Sequence, residues 1–124
     1  MGKRNRQRQR QGAPGQLEKL TIPTSVYRDP EAGELELRGV LSPAARRRYA
    51  EVLAGGLNQE DAWQRATELL FELLAVSWTI SELRIGRQKE LVGRYRMAGA
   101  PERRFVRDSL RAHLREHFPE MQAP

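Results

Sequence analysis

Alternation is the clearest signal in the first third of the chain. Leu35 and Leu37 are separated by Glu36 and flanked by Glu34 and Arg38, the period-two pattern of a strand with one buried face. Ser25-Val26-Tyr27-Arg28 reads as its partner. Between them Asp29-Pro30-Glu31-Ala32-Gly33 supplies Asp and Pro for the start of a turn and Gly for a positive φ at its end. The pair predicts a β-hairpin over about 25–40, which needs helices to lie on. The pattern then changes to helical spacing. Ser42 suits an N-cap and Pro43 a first helical position; Tyr49, Val52 and Leu53 form a stripe, and Gly55-Gly56 closes a helix over 43–54. Asn58 caps a second helix over 59–77, with Asp61 in its first turn. Its apolar positions, from Trp63 through Leu69, Leu70, Phe71, Leu73, Leu74 and Val76 to Trp78, cover too wide a surface for one stripe. That width predicts a central helix packed from two sides.

The stretch from Ile80 to Gly86 reads as a turn with Ser81 as a cap. Leu91, Val92, Tyr95 and Met97 predict a third helix over 87–98, and Phe105, Val106, Leu110, Leu114 and Phe118 a fourth over 101–118. Pro119 stops the pattern. The fold class expected is mainly α: about four helices around a central apolar helix, with a short N-terminal β-hairpin. With 124 residues the chain suits one domain. Residues 1–16, rich in Arg, Gln and Gly and almost without apolar side chains, read as a disordered basic arm preceding a single small domain over 17–124.

Charge changes this picture mainly by where it sits. Of 22 Lys and Arg against 16 Asp and Glu, Lys3, Arg4, Arg6, Arg8 and Arg10 lie in the arm with no acid among them, so the domain is nearly neutral. The domain is itself split. Residues 29–72 hold nine acids and five bases, whereas 84–115 hold ten bases and three acids. Two readings stand: a basic face that attracts phosphate or an acidic partner, or two halves that pair across helix contacts. With no cysteine the chain has no thiolate chemistry. No apolar run approaches the roughly 20 residues that span a bilayer, and none follows the basic start as a secretory signal requires. A soluble, cytoplasmic protein without membrane association is expected.

Candidate chemistry is sparse. His113-Leu114-Arg115-Glu116-His117 has the H-x-x-E-H spacing of inverted zincins, with both His on one helix face. That chemistry also needs a third ligand and a cleft. The helix stops at Pro119, and we read the two His as flanking the apolar stripe at an exposed helix end, where His⁺ suits the dipole. No Gly-rich phosphate loop and no nucleophile beside a base is visible, so no catalysis, no cofactor and no metal is expected. Trp63 and Trp78 read as core rather than as stacking platforms, and Tyr95, between Arg94 and Arg96, as core too.

The stretch Glu34-Leu35-Glu36-Leu37-Arg38-Gly39-Val40-Leu41-Ser42-Pro43, followed by a helix and then Leu69-Leu70-Phe71-Glu72-Leu73-Leu74-Ala75-Val76-Ser77-Trp78, resembles phage tail assembly chaperones. Those small proteins open with a short strand ending in Leu-Ser/Thr-Pro and run into helices with a Leu-rich segment ending at Trp. The resemblance spans about 45 residues. It implies a non-catalytic assembly protein that binds a tape-measure or tail-tube protein through its helical body. A shorter stretch, Leu41-Ser42-Pro43 with Arg46, Arg47, Arg48 and Tyr49, then Leu57-Asn58-Gln59-Glu60-Asp61-Ala62, is similar to phage small terminase subunits and implies the alternative, weak nucleic-acid binding. The candidate contacts to nucleic acid or an acidic partner are Lys3, Arg4, Arg6, Arg8 and Arg10 in the arm, with Arg94, Arg96, Arg103, Arg104 and Arg107 in the third and fourth helices.

Overall fold

The computed structural model describes residues 22–56 and 58–124. The arm expected over 1–16 lies outside the described residues, and so do Lys3, Arg4, Arg6, Arg8 and Arg10. The hairpin forms from β1 (Thr24–Asp29) and β2 (Gly33–Arg38), antiparallel with Tyr27 opposite Leu35. Its turn is built by Asp29, whose Oδ2 accepts from the amides of Glu31 at 3.0 Å and Ala32 at 2.8 Å. Gly33 has φ 95°, and a Cβ there would run into the carbonyl oxygen of Thr79. Glycine is required at this point both for its dihedral and for the close approach of the next strand.

Helix α1 (Pro43–Ala54) starts where the Ser42 hydroxyl accepts from the Ala45 amide, and α2 (Gln59–Leu74) where Asn58 Oδ1 accepts from the Asp61 amide at 2.7 Å. Then the structure departs from the sequence expectation. The helix predicted over 59–77 stops at Leu74, and Ala75–Ile80 forms strand β3. A two-residue turn follows in which Ser81 and Glu82 both have positive φ, 51° and 68°. That left-handed pair is the geometry of a tight hairpin, and it leads into β4 (Leu83–Ile85). The expected mainly-α architecture with only a short hairpin is therefore corrected. Among the described residues the fold is mixed α/β, with a four-stranded antiparallel sheet in the order β1-β2-β3-β4 and four helices. The physical reason lies in residues 75–80. Val76, Trp78, Thr79 and Ile80 are β-branched or aromatic and pack better on a pleat than on a helix, while Leu69 to Leu74 contains no β-branched residue.

A bulge between Glu36 and Leu37 adjusts the register of β2 against β3. One sheet face carries Leu35, Leu37 and Trp78, all fully buried, against Leu70, Phe71 and Leu74 of α2. The alternate positions Glu34 and Glu36 belong to the other face. There Glu36 accepts from Thr24 at 2.8 Å and from Ser77 at 3.1 Å, and Arg28 pairs with Glu34. Helix α3 (Gln88–Arg96) adds Leu91 and Tyr95 to the core, and α4 (Ala100–His117) adds Val106, Leu110 and Leu114. Tyr95 stacks on Phe71, which meets Trp78 edge-on, and the Trp78 indole N–H donates to Ala32 O at 2.8 Å.

Two aromatic and histidine expectations need correcting. Trp78 and Tyr95 are core, but Trp63 is 41% exposed, because Ala62, Ala66, Leu69 and Leu70 define the buried face of α2 and Trp63 falls outside it. His113 is not at an exposed helix end: it is fully buried. Its Nε2 lies 2.8 Å from Arg38 O, which only accepts, so Nε2 carries the proton. Its Nδ1 then accepts from the Tyr27 hydroxyl at 2.9 Å. Both ring nitrogens of His113 are thus spent on tying α4 to β1 and β2. Burial holds its pKa below the ordinary histidine value, an effect that the neighbouring His117 adds to and that the Arg38 carbonyl and Glu116 oppose. The His117 ring packs 4.6 Å from it and reaches Ser25.

Candidate partner-binding groove

On the helical side, α1 and α4 flank α2 without closing over it. The result is a groove of about 1070 Å³ whose floor is the solvent side of α2. Gln64, Thr67 and Glu68 lie along that floor, with Trp63 and Glu60 toward one end and Glu72 and Tyr95 toward the other. Thr67 is buried but internally satisfied, its hydroxyl donating to Trp63 O at 2.8 Å. The α1 wall is Arg48, Glu51 and Val52; the α4 wall is Arg103, Arg107 and Arg111. A second cavity of about 500 Å³ opens between the end of α1 and the C-terminal segment, lined by Tyr49, Leu53 and Met121 and sharing Trp63 with the groove. Tyr49 fixes that segment by donating to Gln122 O at 2.6 Å, and burial drives the phenol's pKa well above the usual range.

The five arginines that the sequence marked in α3 and α4 do not form one surface. Arg94 pairs with Glu102 at 2.7 Å, half-buried, with its guanidinium 5.4 Å from the centre of the Trp78 ring. That contact joins α3 to α4 and serves the fold. Arg96 lines the groove but is held by Glu68, with nitrogen–oxygen distances of 2.7 and 3.2 Å. The hydrogen bond to the Glu68 carboxylate raises its already high pKa. Arg103 donates to Ala98 O at 3.0 Å and Arg96 O at 2.9 Å, satisfying carbonyls at the end of α3, and lies 5.0 Å from the Tyr95 ring centre. Burial raises the Tyr95 phenol's pKa, while Arg103 and Arg107 pull it down. Arg107 lines the groove and has no ion-pair or hydrogen-bond partner among the described residues. Arg104 is exposed and does not line the groove.

Sequence reasoning missed Arg48, Arg111 and the acidic floor. Arg111 donates through Nε to the main-chain oxygen of Pro124 at 2.9 Å. The spacing of 103, 107 and 111 was a usable signal, since side chains four apart share a helix face. The floor was not legible, because it depends on how far α1 and α4 stand apart. Among the described residues no group of three or more His, Cys, Asp or Glu is placed to hold a metal, and no helix is long and apolar enough to cross a membrane. No family model, no curated protein and no solved structure matches this chain.

Proposed function

We propose that the protein is a non-catalytic, tail-assembly-chaperone-like morphogenesis factor that binds a partner protein through its helical body. The observation that carries this reading is the open groove along α2, walled on one side by the arginines of α4 and floored by Glu60 and Glu72 together with the ion pairs Asp61–Arg65 and Glu68–Arg96. An open, charged trough with the exposed Trp63 toward one end suits a polypeptide. It suits a phosphate backbone poorly, since Glu60 and Glu72 would face the phosphates. The pairing of Arg94 and Arg96 with Glu102 and Glu68 also favours protein binding over the nucleic-acid alternative, because it removes two cations from a would-be phosphate surface. The resemblance between Glu34 and Trp78 supplies the partner class, a tape-measure or tail-tube protein.

The test uses the full chain with the tape-measure and tube proteins encoded in the same genome, and with duplex DNA as the competitor. A stoichiometric complex with one of those proteins, lost on Arg107→Glu with Arg111→Glu, is the expected result. DNA binding carried by the five arm charges has a slope of log K against log salt no steeper than about −4.5. Replacing Lys3, Arg4, Arg6, Arg8 and Arg10 by Gln removes it. DNA binding that survives the arm replacement and disappears with the groove substitutions would overturn the reading in favour of nucleic acid.

A further inference from the structure

The groove's charges are unevenly distributed, and the asymmetry specifies an occupant. Arg103, Arg107 and Arg111 follow one another at four-residue intervals on α4, about 6 Å apart along the helix axis. Arg103 and Arg111 are already oriented. Each uses part of its guanidinium to hold a main-chain oxygen, leaving its remaining N–H groups free to donate, and Arg107 between them has no partner among the described residues. Side chains tethered in this way lose less rotamer freedom when they bind a carboxylate. Across the groove the character is mixed: Glu68 is held by Arg96 and Asp61 by Arg65, Arg48 and Glu51 share the α1 wall, and Glu60 and Glu72 stand on the floor of α2, beside the apolar surfaces of Val52 and Trp63.

We infer that the groove takes an acidic polypeptide segment, with carboxylates about 6 Å apart aligned on Arg103, Arg107 and Arg111 and its other edge, apolar or basic, against Val52 and Trp63. That spacing is met by acids four apart on a helix or two apart on an extended chain. A phosphate strand carries charge at every nucleotide and has no neutral edge to turn toward Glu60 and Glu72. The inference rests on the protein-binding reading above and adds the chemistry of the partner.

The test is fluorescence anisotropy on the full chain with a short fluorescein-labelled helical peptide carrying Glu at every fourth position. A peptide with Lys at those positions and a single-stranded oligonucleotide serve as comparison probes. Arg107→Glu with Arg111→Glu is expected to weaken the acidic peptide by about tenfold or more. Arg104→Glu with Arg115→Glu, the same charge change on exposed positions outside the groove, is expected to weaken it by less than about threefold. Arg107→Glu alone, which breaks no internal contact, should account for a good part of the loss. Addition of the acidic peptide should also shift tryptophan emission, and Trp63→Phe should abolish that shift. Equal weakening by the two double variants, or emission indifferent to Trp63, would overturn the inference. So would an oligonucleotide whose binding depends on Arg107 and Arg111. If the tape-measure or tube complex is lost with the groove variants while the acidic peptide is indifferent to them, the occupant inference falls and the protein-binding reading stands. If neither depends on the groove, both fall.

Discussion

Helix α4 belongs to two regions of opposite character. Toward β1 and β2 it presents His113, buried to the last atom, with both ring nitrogens satisfied by Tyr27 and the Arg38 carbonyl. Toward α2 it presents Arg107, exposed and without a partner among the described residues. Polar groups in a packed interior are affordable only when every donor and acceptor is matched, so the His113 contacts read as part of the fold. Charges left open along a groove contribute almost nothing to folding. The contrast separates residues that hold the molecule together from residues free to recognise something else, even though a helix of 18 residues carries both.

Substitutions should divide along the same line. The largest losses are expected where the sheet meets α2. Trp78→Ala and Leu70→Ala remove fully buried side chains and should cost about 3–5 and 2–5 kcal/mol in chemical denaturation. Gly33→Ala should cost more than about 1 kcal/mol, since it adds a Cβ at positive φ against the Thr79 carbonyl. His113→Leu leaves Tyr27 and Arg38 O without their partner and should cost about 1–3 kcal/mol. It should also flatten a pH dependence. Because burial depresses the folded-state pKa of His113, the unfolded chain takes up the proton first as pH falls below about 6.5. Stability is therefore complete above that pH and declines as pH falls toward the folded-state value. Melting temperatures measured from pH 7.5 down to 5, about the range over which carboxylates stay ionised, should fall in the wild type. They should fall less in His113→Leu; an equal decline would remove His113 from this role. At the small end, Trp63→Ala should change stability by about 1 kcal/mol or less, given its 41% exposure. A large loss there would move Trp63 from the groove to the core.

The same division explains what the sequence disclosed. Local chemistry was readable: Ser42 and Asn58 cap their helices through single side-chain hydrogen bonds. The alternation around Leu35 and Leu37 marks a strand with one buried face. The second hairpin was not readable in the same way. Its apolar run continues from α2 without a break, and its turn uses Ser81 and Glu82, neither of them the Gly or Asn that announces positive φ. Missing it turned a mixed α/β protein into a mainly-α expectation. His113 was misjudged for a related reason. Its burial is created by Tyr27 and Arg38, 86 and 75 residues away in sequence. In the groove the arginine spacing lay in plain view, whereas the partners of Arg94 and Arg96 appear only once α3 is folded against α4 and α2.

The most direct measurement of this division is a backbone amide NMR titration of the full chain with the acidic peptide. Shift changes are expected to concentrate on Gln64, Thr67 and Glu68 of the floor and on Arg103, Arg107 and Arg111 of the α4 wall, with the amides of Tyr27, Arg38 and His113 unmoved. Perturbations centred on the open face of the sheet, or spread over both sides of α4 alike, would contradict it.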